Sequence, residues 1–286
     1  VIKSVFYICI IMPAYATQAL GQTTANFATF QRKVMAEGLL VLKCSGKVVE
    51  GGIISRAGEL KKSGRLKNLV IVPGAGEQIT EATREKGLTP SFVKGRRNTS
   101  EPVLRIAIQS LEGITSGIVE KLEKAGVEAS PFLTGVFQAR KAVVGGWVGD
   151  INNVDILEPV QALLAGKAAI LAPLGKDAHG WELNLNADDA AISAATAFHA
   201  TQLIFATDVN GIEFGGSVLA DVTVSALAGL IDSHIVSDGM IPKAFACIKA
   251  AEAGIPVRII NGKDPDALTH ALEGKGGTVV LPHEVR

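Results

Sequence analysis

Five short apolar runs separated by helix-forming stretches set the architecture of this chain: Leu39–Gly46, Leu69–Val72, Lys167–Leu174, Gln202–Val209 and Val257–Ile260. Continuous apolar runs of this length suit strands buried on both faces, and their alternation with helices requires a mostly parallel sheet covered on both sides. Helices are expected through Leu60 and Lys62, over Gln78–Lys86, Ser100–Ala125, Leu157–Leu164, Ala190–Ala200, Thr223–Ser233 and Pro265–Leu272. Gly126 reads as a C-cap, and Pro131–Val154, rich in Gly, Val and Thr, reads as a β-hairpin region. The fold class is therefore α/β, an open, mostly parallel sheet between two helical layers.

A chain of 286 residues, 48% hydrophobic, is long enough for one large domain or two lobes around a substantial core. Lys plus Arg and Asp plus Glu are equal at 28 each, so no overall field draws the protein to nucleic acid or to an anionic membrane. The partner expected is a small molecule. Cys9, Cys44 and Cys247 are far apart in sequence and without metal-ligand spacing, which fits a reducing, cytoplasmic setting and no protein-held metal.

Residues 1–38 read as an N-terminal extension. Its apolar run Val5–Met12 with Ala14-Tyr15-Ala16 has only the superficial form of a secretion signal, and Met12 or Met35 is an alternative start. Between Thr24 and Glu37, Phe27, Phe30 and Val34 recur at helical spacing, an apolar stripe expected to find its core elsewhere, on another subunit.

The residues that structure alone would not choose lie at strand ends. Lys43 closes an apolar strand, which is costly unless its ammonium meets an anion. Pro73-Gly74-Ala75-Gly76 follows a strand and precedes a helix, so its backbone N–H groups can face an anion. It lacks the third glycine of a dinucleotide fingerprint, and no Walker A sequence occurs. Asn184 and Asn186 project from one side of an extended segment. Asn186 is also a good N-cap, with Asp188 and Asp189 in the first helical turn, and cap and polar site are equally supported. Thr207-Asp208 ends another buried strand before the Asn210-Gly211 turn. Pro242 fits a first helical turn and puts Lys243 at a positive helix end, the wrong place for a lysine unless an anion binds there. Gly95-Arg96-Arg97-Asn98-Thr99 is a basic turn. Two such lysines, glycine turns and strand-edge acids together suit phosphoryl chemistry between anions, where positioning and charge stabilisation carry the rate.

From about residue 39 to 280 the chain resembles the amino acid kinase family, and within it the acetylglutamate kinases. The marks are Leu42-Lys43 with Gly46, Val72–Gly76, Gly95–Thr99, Val148-Gly149-Asp150, Asn184–Asp188, Thr207–Gly211, Gly239–Lys243 and Gly277-Thr278. The resemblance implies a three-layer αβα sandwich with two lobes in one domain, an acid-substrate lobe over about 39–180 and a nucleotide lobe over about 181–286. It also implies transfer of the ATP γ-phosphoryl group to the side-chain carboxylate of N-acetyl-L-glutamate in arginine biosynthesis. On that reading Lys43 and Lys243 neutralise the phosphoryl, Asp188 holds both ammonium groups, and Gly46 and Gly74 donate N–H bonds to it. Ala75, Gly76, Arg97, Asn184 and Asn186 hold the acid. Thr207, Asp208, Gly211, Met240 and Lys243 hold ATP, whose phosphates carry Mg2+. A homodimer is implied, with a hexamer through the N-terminal helix as the further assembly.

The chain departs from the family pattern at Ser45-Gly46 for Gly-Gly, at Pro73 for His and at Ala75 for Gly. It also lacks the Lys and Asn that bacterial members carry around Gly113–Gly117. A kinase for a related acid, acetylaminoadipate or its carrier-linked form, and an inactive amino-acid-sensing module are the alternative readings.

Overall fold

The computed structural model describes residues 28–34, 36–93, 95–236 and 240–282. The expectations on residues 1–27, including Phe27 and Cys9, and on Met35 and Gly239 lie outside the described residues. The elements run β1 (Leu39–Cys44), α1 (Ile53–Lys62), β2 (Asn68–Pro73), α2 (Gly76–Glu85), β3 (Phe92–Val93), β4 (Arg96–Arg97), α3 (Glu101–Lys124), β5 (Ala129–Phe132), β6 (Phe137–Lys141) and β7 (Gly149–Val154). They continue α4 (Leu157–Leu164), β8 (Ala168–Leu171), β9 (Leu174–Lys176), β10 (Glu182–Asn184), α5 (Ala187–Ala197), β11 (Gln202–Thr207), β12 (Glu213–Phe214), β13 (Ser217–Val218) and β14 (Asp221–Thr223). The last are α6 (Val224–Asp232), α7 (Ile241–Glu252), β15 (Val257–Asn261), α8 (Asp266–Leu272) and β16 (Thr278–Leu281).

Eight strands form one sheet in the order β14-β16-β15-β11-β1-β2-β8-β5, parallel throughout except where β16 meets β15. β1 and β2 are buried along their whole length, as central strands between two helical layers must be. Side-chain alternation divides their residues between two cores. Leu40, Leu42, Leu69 and Ile71 pack with α1 and α3, while Leu39, Val41, Val70 and Val72 pack with α5 and α7. Each such leucine or isoleucine contributes about 1.5–3 kcal/mol by leaving water. Lys43 shares the parity of Leu39 and Val41, so its side chain leaves the sheet on the α5 and α7 side.

A second, four-stranded sheet, β10-β9-β6-β7, sits beside the main one and ends in Asn184. The expected strand Lys167–Leu174 is two strands: β8 stays in the main sheet, and after Pro173 the chain turns into β9 of the second. The region expected as a single hairpin likewise splits between β5, in the main sheet, and the antiparallel β6–β7 pair.

Phe30 and Val34 of the N-terminal stripe find their core within the chain. Phe30 is 1% exposed and Val34 is buried in the same core as β1 and α5, and the Phe30 ring meets Phe198 edge-on at 6.0 Å between centroids. These two side chains find their apolar partners within the chain, which corrects the expectation of an intersubunit role for them. Among the described residues no helix is long and apolar enough to cross a membrane.

Candidate active site

The C-terminal ends of β1, β2 and β11 are neighbours in the sheet. The chain leaves β1 for helices on one face and leaves β11 for α6 and α7 on the other, so a crevice opens between them, the usual place for a ligand in such sheets. This cleft has a volume of about 350 Å³. Lys43, Gly46, Gly74, Ala75, Gly76, Arg97, Asn184, Asn186, Asp188, Thr207, Asp208 and Lys243 all line it. Gly211 and Met240 do not. Met240 is packed in the core, and Gly211, at φ +154°, lies so close to Thr278 that a Cβ there would stand 2.5 Å from Oγ1.

Two strand-end turns touch at the floor of the cleft. A Cβ on Gly74 would lie 3.2 Å from the Cys44 carbonyl oxygen and 3.4 Å from the Gly46 nitrogen, so a side chain there would press on the backbone of the neighbouring turn and glycine lets the two approach without it. The Gly74 N–H itself donates to Cys44 O at 2.7 Å. Where Gly74 was expected to donate its N–H to a phosphoryl oxygen, the structure shows that N–H bonded to the backbone and the residue bringing the two turns together. The Gly76, Glu77 and Gln78 N–H groups precede the first bond of α2, Ile79 N–H to Ala75 O at 2.9 Å, and as first-turn donors they lack intrahelical acceptors.

Lys43 is 7% exposed, and its Nζ lies 2.7 Å from Asp188 Oδ1. The two charges are close but not aligned as a hydrogen bond, and Oδ1 is buried without a hydrogen-bond donor. Taking an ammonium out of water costs several kcal/mol, and one imperfectly aligned carboxylate offsets only part of that. Asp188 was expected to hold both lysines. Instead Lys243 Nζ lies 3.8 Å from Asp208 Oδ1, and among the described residues it makes no ion pair with Asp188. The reason is positional: Asp188 opens α5, whereas Asp208 follows β11 beside the start of α7, which carries Lys243.

Asn186 resolves as the helix cap. Its Oδ1 accepts from Asp188 N–H at 2.8 Å and Asp189 N–H at 3.0 Å while the residue also lines the cleft. Asn184 Nδ2 donates to Thr99 Oγ1 at 3.1 Å.

The basic turn Gly95–Thr99 contains the hairpin strands' return, β4 pairing with β3, and separates its two arginines. Arg96 pairs with Asp150 and, at 3.3 Å, with Asp189. Arg97 is 9% exposed, and its Nη2 donates to Gly76 O at 2.6 Å and Thr80 Oγ1 at 2.7 Å, with Phe92 stacked 4.9 Å below the guanidinium. Its Nη1 is buried without an acceptor, it has no carboxylate partner among the described residues, and burial pushes its pKa down.

Sequence reasoning missed Lys47 and Phe92, which also line the cleft. Lys47 Nζ lies 2.6 Å from Asp208 Oδ2, and that hydrogen bond holds the Asp208 carboxyl down at about 2. Its signal in the sequence was adjacency to Gly46. Phe92 carried none.

A family model described as the amino acid kinase family matches residues 38–261. The chain is similar to the acetylglutamate kinase of Chlorobium limicola (32% identical over 268 residues, 89% of this chain and 86% of that one). It is likewise similar to that of Bacillus velezensis (34% over 245 residues, 82% and 94%). Among solved structures it resembles smu.665 from Streptococcus mutans, with a TM-score of 0.75 and 28% identity over 86% of this chain and 100% of that chain. The N-acetylglutamate synthase of Neisseria gonorrhoeae complexed with coenzyme A and N-acetyl-glutamate shares the fold, with a TM-score of 0.77 and 23% identity over 92% of this chain and 64% of that one. With the strand-end lysines, the two glycine turns and the capped α5 in one cleft, the chain belongs to the amino acid kinase family.

Proposed function

We propose that the protein is an acetylglutamate kinase, transferring the ATP γ-phosphoryl group to the side-chain carboxylate of N-acetyl-L-glutamate to give N-acetyl-L-glutamyl 5-phosphate in arginine biosynthesis. The observation that carries the acid half is Arg97: a buried guanidinium with an orphaned Nη1 and, among the described residues, no carboxylate partner, facing a cleft that also holds Lys43. A free α-carboxylate supplies the missing acceptor and charge. Curated relatives at 32–34% identity, covering most of both chains, carry the activity.

In this reading Ala75, Gly76, Asn184 and Asn186 line the acid's end of the cleft, and Thr207, Asp208 and Lys243 line the nucleotide's end. Gly211 and Met240 support that end from behind. Lys43 and Lys243 stand on the two sides of the space between, where negative charge crowds as the γ-phosphoryl moves toward the acid carboxylate. Gly46 and the first turn of α2 offer N–H groups to the same oxygens. Mg2+ comes with the nucleotide, held by phosphate oxygens and water as is usual for this ion. The lobe division near residue 180, a cytoplasmic setting and a homodimer belong to the same proposal, the last tested by sedimentation.

The test is release of ADP from Mg-ATP in the presence of a panel of acids: N-acetyl-L-glutamate, N-acetyl-L-aspartate, N-acetyl-L-aminoadipate and free L-glutamate. N-acetyl-L-glutamate should give the highest kcat/KM. A faster reaction with the aminoadipate derivative would move the protein to the related-acid reading, and no acid-dependent release would leave a sensing module.

A further inference from the structure

The loop after β1 brings a third lysine into the cleft, and it shares a carboxylate with one of the other two. Lys47 Nζ is 2.6 Å from Asp208 Oδ2 and 4.0 Å from Glu77 Oε1, and Lys243 Nζ is 3.8 Å from Asp208 Oδ1. The Lys47 loop is held in place, with Val48 N–H and Val49 N–H both donating to Ser45 O at 3.0 Å and Gln78 Nε2 donating to Gly46 O at 2.9 Å. Thr207 Oγ1 fixes the other partner by donating to Asp208 Oδ1 at 3.2 Å. Among the described residues Asp188 pairs with Lys43 alone, so the competition for Asp208 is between Lys47 and Lys243.

We infer that Lys47 is a positioning residue that occupies Asp208 and thereby keeps Lys243 off it, leaving the Lys243 ammonium available to the phosphoryl group. Lys47, Lys243 and Asp208 together carry one net positive charge. Without Lys47 the remaining two sum to zero, and nothing opposes the pull of Asp208 on Lys243. Lys243 stands 3.8 Å from Oδ1, beyond hydrogen-bond distance, while Lys47 and Thr207 are bonded to the carboxylate. Attraction rises as the separation shrinks, and a lysine stem has the rotatable bonds to close a gap of this size. The half-exposed Lys47 side chain is the guard on the carboxylate.

This inference rests on reading the cleft as a phosphoryl-transfer site, and two readouts separate the fates of the two ideas. One is kcat with Mg-ATP and N-acetyl-L-glutamate. The other is the rate at which acetic anhydride labels Lys243, followed by peptide mass spectrometry, which needs no turnover. Lys47→Met should lower kcat about tenfold and slow Lys243 labelling several-fold, and Lys47→Arg should restore both. In an Asp208→Asn background, where no carboxylate captures Lys243, Lys47→Met should change either readout less than about twofold. An equal loss in both backgrounds would mean that Lys47 acts on phosphate directly, and unchanged Lys243 labelling in Lys47→Met would mean that it guards nothing. Either result overturns the inference. Wild-type protein with no acid-dependent turnover would sink the kinase reading alone, and the labelling comparison would still decide the role of Lys47.

Discussion

Arg96 and Arg97 are adjacent in one two-residue strand, yet Arg96 is clasped by Asp150 and Asp189 while Arg97 is buried against Gly76 O, Thr80 and the Phe92 ring with no carboxylate partner among the described residues. Strand alternation sends neighbouring side chains to opposite sides, so that although both arginines line the cleft they meet different partners. Arg96 has its charge paired within the chain, and under the proposed function Arg97 is the one left to the acid substrate.

Arg97→Lys keeps the charge and loses the planar fork. KM for N-acetyl-L-glutamate should rise about 10- to 100-fold, the effect of losing roughly 1.5–3 kcal/mol from a charge-assisted hydrogen bond, with KM for ATP nearly unchanged. Arg96→Lys should move the acid KM less than about fivefold, as partly exposed ion pairs contribute little. Initial-rate kinetics on both variants checks this, and a shift in the ATP KM instead would place Arg97 in the nucleotide half.

Truncating the N-terminal stripe should weaken the fold itself. Phe30 is fully buried against Phe198, so Phe30→Ala should cost about 3 kcal/mol or more in urea unfolding without a change in sedimentation coefficient. A smaller particle with unchanged stability would return the stripe to an assembly role.

The Lys47 to Asp208 pair sets an acid-side signature. The Lys47 hydrogen bond lowers the Asp208 carboxyl to about 2 from its ordinary value near 3.8. A depressed carboxylate contributes stability that is fully present above the unfolded value and is lost as pH falls through the folded one. The Tm advantage of wild type over Asp208→Asn should therefore hold above pH ~4.5 and shrink as pH falls toward ~2.5. A gap independent of pH in this window would contradict the ionic origin.

Gly211→Ala should be destabilising although the residue lies outside the cleft lining. The added methyl would meet Thr278 Oγ1 at 2.5 Å and Val218 Cγ1 at 2.7 Å, and the backbone there is in a region L-residues avoid. Overpacking of this kind costs about 1–3 kcal/mol and should lower Tm by several degrees. An unchanged melting curve would remove Gly211 from the scaffold of the nucleotide end.

What was legible in the sequence follows from local physics. The buried strands and the long helices carry their own periodicity, and Leu157–Leu164 was read to the residue. Lys43 stood out because an ammonium inside an apolar strand needs a partner, and the partner came from α5 as strand parity dictates. The second sheet was hidden because β9 and β10 are three residues each, too short for alternation to show, and Lys167–Leu174 reads as one strand straight through Pro173. Which aspartate each lysine would meet depends on how α5 and α7 stack across the sheet, and no local pattern encodes that. Asn186 divided the readings evenly for a physical reason: it caps α5 and lines the cleft at once.

The most direct measurement is trapping of the acyl phosphate. Purified protein with Mg-ATP, N-acetyl-L-glutamate and hydroxylamine should accumulate the hydroxamate in proportion to ADP. Lys43→Ala or Lys243→Ala should lower its kcat by several orders of magnitude while substrate affinities fall much less, the double variant being little worse than the worse single one. ADP without hydroxamate, or hydroxamate formed at near wild-type rates by both lysine variants, would contradict phosphoryl transfer to a carboxylate between these two cations.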